Sequence, residues 1–141
     1  TRLRPAVDTR RGGYILFEPP TAPVAIVLGT GSEVQLALAA AEQLTGAGTP
    51  TRAVSLPCWE VFESQPREYR DSVLPPAVTA RVSVEAASTF GWSRFIGLGG
   101  VAVGLDHFGA SAPAETLFHE FGITTDHVVA AVRQSLARRP A

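Results

Sequence analysis

Five consecutive apolar residues at 24–28 are followed at once by Gly29-Thr30-Gly31. A run this short forms one strand and is too short for a helix, and three of its members are β-branched. A strand that is apolar at every position is buried on both faces, as in a parallel sheet. The glycines allow a sharp turn, and Ser32 with Gln35 has the form of a capping box. The stretch therefore predicts the strand, turn and helix of a βαβ unit.

Similar patterns recur along the chain. The first helix is predicted over 33–44, ended by Gly46 and followed by a second parallel strand at 52–56. Pro19-Pro20 ends a strand at 13–18 and keeps it at the edge of the sheet. The remaining patterns predict strands at 81–85 and 101–106, short helices at 58–65 and 68–73, a helix reaching about Phe121 and a last helix capped by Thr124 or Thr125. We expect an α/β three-layer sandwich with a mostly parallel five-stranded sheet flanked by helices.

Composition limits the classes of function. The 141 residues suit one domain, and no apolar run approaches the roughly 20 residues of a membrane span. All 12 basic residues are Arg, but 13 acidic residues give a net charge of −1, which argues against nucleic-acid binding. A single cysteine, Cys58, excludes an internal disulfide and favours a reducing, cytoplasmic compartment. Because the sequence does not open with Met, we expect a part of a longer protein.

Loops at the carboxyl ends of parallel strands are the usual ligand sites, which here are the loops at 29–32, 57–59, 85–91 and 106–111. Gly29-Thr-Gly31 is half of a dinucleotide-binding fingerprint, but Val34 stands at its third glycine position. No GK[ST] motif of a phosphate-binding loop is present. The glycines therefore favour a tight structural turn over a phosphate site.

Three other constellations are weak. Cys58 begins a helix that could stabilise a thiolate, yet no general base stands in a known pattern with it. Glu85 and Asp106, at two strand ends, could form a carboxylate pair for acid and base work, or a hydrogen-bonded carboxylate that holds loops together. The chain has three histidines, His107, His119 and His127. Their spacing is not that of metal ligands on one helix.

Nine strings, in order and at similar spacing, resemble a known domain over nearly the whole chain. They are Gly12-Gly-Tyr-Ile-Leu, Thr30-Gly-Ser-Glu-Val34, Arg52-Ala-Val-Ser-Leu-Pro57, Trp59 with Phe62-Glu-Ser-Gln65, Tyr69-Arg-Asp-Ser-Val-Leu-Pro75, Val82-Ser-Val-Glu-Ala86, Phe90-Gly-Trp92, Phe108-Gly-Ala-Ser-Ala-Pro-Ala-Glu115 and Phe121-Gly-Ile-Thr124. The chain resembles the C-terminal domain of the transketolase family. The string from Phe108 favours transketolase over deoxyxylulose phosphate synthase and the pyruvate dehydrogenase beta subunit, which share the fold.

The resemblance implies an enzyme that uses thiamine diphosphate to move a two-carbon ketol unit from a ketose phosphate to an aldose phosphate in the pentose phosphate pathway. In such enzymes a first domain holds the diphosphate through Mg²⁺ or Ca²⁺, and a middle domain of the partner subunit holds the aminopyrimidine. The resemblance makes residues 13–141 a non-catalytic C-terminal domain, with 1–12 as the linker to the other domains of a homodimer. We expect this chain alone to bind no cofactor and to be inactive.

One functional residue is implied within the linker. Thr1-Arg2 resembles the Ser-Arg pair at the end of the family's second domain, whose arginine grips the sugar phosphate. A planar guanidinium suits that task because it meets phosphate oxygens with two hydrogen bonds. Arg2 is thus a candidate substrate-binding residue, and a solvated linker arginine is the alternative. Leu3-Arg4-Pro5 departs from the family's Gln-Asn-Leu-Pro and is one residue shorter, and His107 stands where many members have Arg.

Two other classes of function stay open at this point. One is a stand-alone binding or regulatory module of the same fold, which takes a small anionic metabolite at 29–32 and 106–111. A variant of this alternative is the equivalent domain of a related thiamine-diphosphate enzyme. The other is an independent hydrolase that uses Cys58, Glu85 and Asp106.

Overall fold

The computed structural model describes residues 10–85, 91–104 and 124–138. In these ranges five strands run along the chain: β1 Tyr14–Phe17, β2 Ala25–Gly29, β3 Thr51–Ser55, β4 Arg81–Glu85 and β5 Val101–Gly104. Five α-helices accompany them: α1 Val34–Gly46, α2 Trp59–Glu63, α3 Arg67–Val73, α4 Ser93–Ile96 and α5 Thr125–Ala137. The helix predicted to reach Phe121 and the end of the strand predicted at 101–106 lie outside the described residues.

The strands form one sheet in the order β1-β3-β2-β4-β5, so β2 is the central strand. β2 pairs in parallel with β3 and β4, and β4 pairs in parallel with β5. β1 lies at one edge and runs antiparallel to β3. The predicted five-stranded, mostly parallel sheet and its edge strand are confirmed.

Both faces of the central strand are buried. Ala25 and Val27 pack with α1 and α5 on one face, whereas Ile26 and Leu28 pack with side chains of α2, α3 and α4 on the other. All four side chains are fully buried, as expected for a parallel strand covered by helices on both sides. This alternation produces the predicted three layers.

The start of α1 differs from the prediction. Gly31–Glu33 forms a single 3₁₀ turn after Thr30, and α1 begins at Val34. The position before the first helical residue is Glu33, and its side chain makes no capping hydrogen bond. The prediction that Ser32 caps this helix is therefore wrong: the 3₁₀ turn places Glu33, not Ser32, directly before α1, and Ser32 lies inside the turn. The helix continues through Gly46, and Gly48 follows with φ +93°.

The predicted cap of the last helix is confirmed. The Thr124 side chain accepts a hydrogen bond from the backbone N–H of His127, which satisfies one of the free donors at the start of α5. Val128 and Val132 are fully buried against the sheet, and Leu136 packs beside them. No helix in the three described ranges is long and apolar enough to cross a membrane.

Candidate functional site

The turn after β2 is closely packed at the carboxyl edge of the sheet. A Cβ added to Gly29 would lie 3.1 Å from Val34 Cα and 3.2 Å from Ala37 Cβ, so the strand and α1 approach as closely as glycine allows. The Gly29 carbonyl accepts a hydrogen bond from the N–H of Leu56 at 2.9 Å. Gly31 has φ +59°, in the left-handed region. These contacts support the interpretation of the glycines as a structural turn.

Cys58 lies at the same edge, just before α2, with an exposed thiol. Its backbone N–H donates to the Gly12 carbonyl at 3.0 Å, and its own carbonyl accepts from the N–H of Phe62 at 3.1 Å. His127, within the described ranges, stands at the start of α5 on the opposite face of the sheet, where its Nδ1 is 2.7 Å from Thr124 Oγ1. The geometry brings no histidine of the described residues to the thiol.

Glu85 ends β4 and is held by an aromatic cluster. Its Oε2 accepts a hydrogen bond of 2.6 Å from the indole N–H of Trp92, which is 1% exposed. The Trp92 ring in turn meets Trp59 edge to face with 4.7 Å between centroids. A Cβ at Gly91, which has φ +87°, would lie 3.0 Å from the Trp59 ring. The carboxylate therefore joins β4 to the start of α4, which agrees with the loop-holding role.

The other predicted site residues lie outside the described residues, so no structural statement covers them: Arg2, Asp106, His107 and His119. The described residues contain no group of three His, Cys, Asp or Glu side chains that could hold a metal ion. Within this part, the carboxyl edge is a packed junction of glycines, aromatic rings and one hydrogen-bonded glutamate.

Sequence reasoning missed the roles of two arginines in the strands. Arg52, in β3, is 7% exposed, and its guanidinium meets both carboxylate oxygens of Glu18 at 3.2 and 2.8 Å. Its remaining terminal nitrogen donates to the carbonyls of Ser72 and Val73, both at 2.9 Å, at the end of α3. Arg52 thereby links the edge strand region to α3.

Arg81, at the start of β4, has an entirely different set of partners. Its guanidinium donates four hydrogen bonds of 2.7 to 3.2 Å to backbone carbonyls, those of Leu74, Pro75, Val78 and Phe95. These carbonyls come from the segment between α3 and β4 and from α4. We call this arrangement the Arg81 clamp. An arginine at the first position of a predicted strand is the only signal of it in the sequence.

Comparison with known proteins agrees with the resemblance. The family model described as the transketolase-like C-terminal domain matches residues 12–124. Transketolase 7 of Craterostigma plantagineum is 55% identical over 128 residues, which cover 88% of this chain and 19% of that protein. Transketolase from Leishmania mexicana has a similar structure, with a TM-score of 0.87 and 41% identity over 96% of this chain and 19% of that one.

A transketolase of Pichia stipitis, solved in complex with sedoheptulose-7-phosphate, gives a TM-score of 0.80 at 39% identity, covering 90% of this chain and 18% of that one. The chain thus spans about a fifth of the length of each of these three relatives. It belongs to the transketolase family, in which it corresponds to the C-terminal domain.

Proposed function

We propose that the chain is the C-terminal, non-catalytic domain of a transketolase, which transfers a two-carbon ketol unit from a ketose phosphate to an aldose phosphate in the pentose phosphate pathway. The observation that carries the proposal is the collinear match over residues 12–124. The identity to a curated transketolase, 55% over 128 residues, supports the same activity for the protein of which this domain is part. The complex of a relative with a sugar phosphate supports that substrate class.

The proposal assigns the cofactor to other domains. Thiamine diphosphate would supply the carbanion chemistry of ketol transfer, and Mg²⁺ or Ca²⁺ would hold its diphosphate. A divalent metal of this kind needs several oxygen ligands, and the described residues offer no cluster of three candidate ligands. That we assign no residue of this chain to the cofactor or its metal rests on the resemblance, in which other domains hold both.

The role proposed for this domain is to pack against the N-terminal and middle domains and to contribute contacts to a homodimer. The proposed boundary puts the linker at 1–12 and the domain at 13–141. The proposed compartment is the cytoplasm, which rests on the lone cysteine.

Arg2 is the proposed exception to a purely structural role. Its guanidinium would hold the phosphate of the sugar substrate at the junction with the middle domain, far from the bond that breaks. An arginine in that position contributes to binding of the substrate in all states along the reaction. Its removal is therefore expected to raise KM and to leave kcat nearly unchanged.

The assignment of the cofactor to other domains is tested by calorimetric titration of the 141-residue chain with thiamine diphosphate and Mg²⁺, followed by a ketol-transfer assay. We expect neither heat nor turnover from the chain alone. As the positive counterpart, the chain replaces the corresponding segment of Craterostigma plantagineum transketolase 7, and the chimera is expected to retain ketol transfer. Cofactor binding by the isolated chain would contradict the proposal, as would a dimeric, cofactor-loaded chimera without turnover.

The same chimera tests Arg2. Arg2→Gln is expected to raise KM for a ketose phosphate by about tenfold or more, because a hydrogen bond to a charged group is worth roughly 1.5–3 kcal/mol. Arg4→Gln is the matched control, since Arg4 has the same charge two residues away and no counterpart in the resemblance. Equal KM values for the two variants would refute the assignment of Arg2.

A further inference from the structure

A groove of about 660 Å³ opens at the end of the sheet where the parallel strands begin, opposite to the carboxyl edge. Thr79 and Gly99, which line it, lie just before β4 and β5, so it opens at the amino ends of these strands. Its walls come from the end of α2, from α3 and α4, from the segment leading into β4 and from the end of α5. Pockets of 300 to 1,000 Å³ are the usual size for small organic ligands, and this volume falls within that range.

The interior of the groove is apolar. Phe62, Phe95 and Ile96, all from 2% to 6% exposed, form part of its lining, and Leu74 lies beside them. Leu98, also in the lining, projects fully into solvent between Gly97 and Gly99. Aromatic and aliphatic surfaces of this kind favour a ligand with an apolar body.

The charges around the groove are unbalanced. Four arginines line it against two carboxylates, Glu63 and Asp71, an excess of two positive charges. The arginines are Arg70, Arg81, Arg94 and Arg138. In a partly apolar cleft such an excess attracts anions, because low-dielectric walls focus the field. The charge complements an acidic ligand.

Two of these arginines are already engaged. Arg94 pairs with Glu63, and its guanidinium lies 5.4 Å from the centre of the Trp59 ring. Arg81 donates to the four carbonyls of the Arg81 clamp. These partners are neutral carbonyls, and burial among them lowers the pKa of Arg81, while the charge of the nearby Asp71 offsets part of that shift.

The other two arginines retain donors. Arg70 donates through Nε to the Gln65 carbonyl at 3.1 Å, and its two terminal nitrogens have no hydrogen-bond partner among the described residues. Arg138, at the end of α5, makes one long contact of 3.4 Å with the Gly100 carbonyl. Guanidinium nitrogens in this state are suited to carboxylate or phosphate oxygens, which they meet with short, charge-assisted hydrogen bonds.

We propose that this groove is a binding site for a small organic anion, whose apolar body rests on Phe95 and Ile96 and whose carboxylate or phosphate group is held by Arg70 and Arg138. The site lies at the end of the sheet opposite to the carboxyl edge, and its proposed ligand contacts do not include Arg2. It does not depend on the proposed function of the whole enzyme.

The test uses the ¹⁵N-labelled 141-residue chain and three probes with one naphthalene body. These are naphthalene-2-carboxylate, 2-naphthyl phosphate and the neutral naphthalene-2-carboxamide. We expect the two anions to shift the amide signals of residues 95–99 saturably, and the carboxamide to bind at least about fivefold more weakly because it lacks the charge. Tighter binding of the carboxylate or of the phosphate tells which acid group the site prefers.

Matched variants locate the charge. Arg70→Gln and Arg138→Gln are each expected to weaken binding of the anions by about threefold or more, with the carboxamide unaffected. Arg67→Gln on α3 and Arg133→Gln on α5 are the controls, because neither residue lines the groove. Leu98→Ser, at a fully exposed position, is expected to weaken all three probes.

Four results would overturn the proposal. They are the absence of a saturable shift at residues 95–99, equal affinity for the anions and the carboxamide, larger shifts elsewhere on the chain, and controls that weaken binding as much as Arg70→Gln and Arg138→Gln. An amide spectrum that keeps its dispersion shows that each variant is folded, so a loss of binding reports on the groove.

Discussion

Arg52→Met removes a cation that is bound on two sides. The side chains of Arg52 and Glu18 are 9% and 27% exposed, and their guanidinium and carboxylate share two hydrogen bonds. Two more hydrogen bonds run from Arg52 to the carbonyls of Ser72 and Val73. Met fills a similar length, so the substitution leaves little cavity. It leaves instead a partly buried carboxylate without its counter-ion and two carbonyls without this donor.

Removal of one partner from a buried ion pair destabilises a protein by roughly 3–5 kcal/mol. Because Glu18 keeps about a quarter of its exposure, water solvates part of the orphaned charge, and we expect the lower end, about 3 kcal/mol. That is a large share of a total stability of roughly 5–15 kcal/mol. Urea unfolding followed by circular dichroism measures it as a lower midpoint with an unchanged slope.

Arg133→Met is the matched control, since Arg133 is exposed on α5, and it is expected to change the free energy of unfolding by less than about 0.5 kcal/mol. Glu18→Gln tests the origin of the loss. Combined with Arg52→Met it should cost less than the sum of the two single changes, because the residues interact directly. A loss below about 1 kcal/mol for Arg52→Met, or additivity in the double variant, would refute this account.

Two further substitutions test the carboxyl edge, both by thermal unfolding. Gly12→Ala is expected to destabilise the protein by about 3 kcal/mol or more, because Gly12 has φ +77° and the new Cβ would lie 2.4 Å from the Cys58 carbonyl oxygen. Gly46→Ala is the control, since its new Cβ meets nothing within 4 Å, and it should be neutral or stabilising. Equal effects of the two substitutions would contradict the argument. Trp92→Phe keeps a ring but removes the donor to Glu85, so we expect a loss of about 1–3 kcal/mol, and an unchanged midpoint would mean that this hydrogen bond contributes nothing.

The strands were predictable because their burial requires a distinctive composition. The bounds expected for β4, 81–85, are those observed, since the alternation of Val82 and Val84 with polar residues is typical of a strand and ends at Glu85. The order of the strands was only partly predictable. A βαβ unit makes β2 and β3 neighbours, but it does not say on which side of β2 the chain will next return. That choice depends on how α2, α3 and α4 pack on one face of the sheet.

The arginine contacts could not be predicted for a different reason. Arg81 bonds to carbonyls, and every residue of a protein carries a carbonyl, so no pattern of residue types marks its acceptors. The groove has the same limitation, because Arg70 and Arg138 are 68 positions apart and come together only through the path of the sheet. The Glu85 carboxylate was recognised as a candidate, but its partner Trp92 was not. The indole N–H of a tryptophan is uncharged, so the sequence does not mark it as the partner of a carboxylate.

The Arg81 clamp also limits how this position can diverge during evolution. Its three nitrogens reach carbonyls of two separate segments at once, which a lysine cannot do because its donors radiate from a single atom. A substitution by lysine would keep the charge and lose the geometry, and a substitution by an apolar residue would leave carbonyls at the base of the groove without a donor. Arg133, by contrast, is exposed on α5, so other residues can replace it at little cost in stability. Among related sequences, position 81 should therefore tolerate arginine alone, while position 133 should drift.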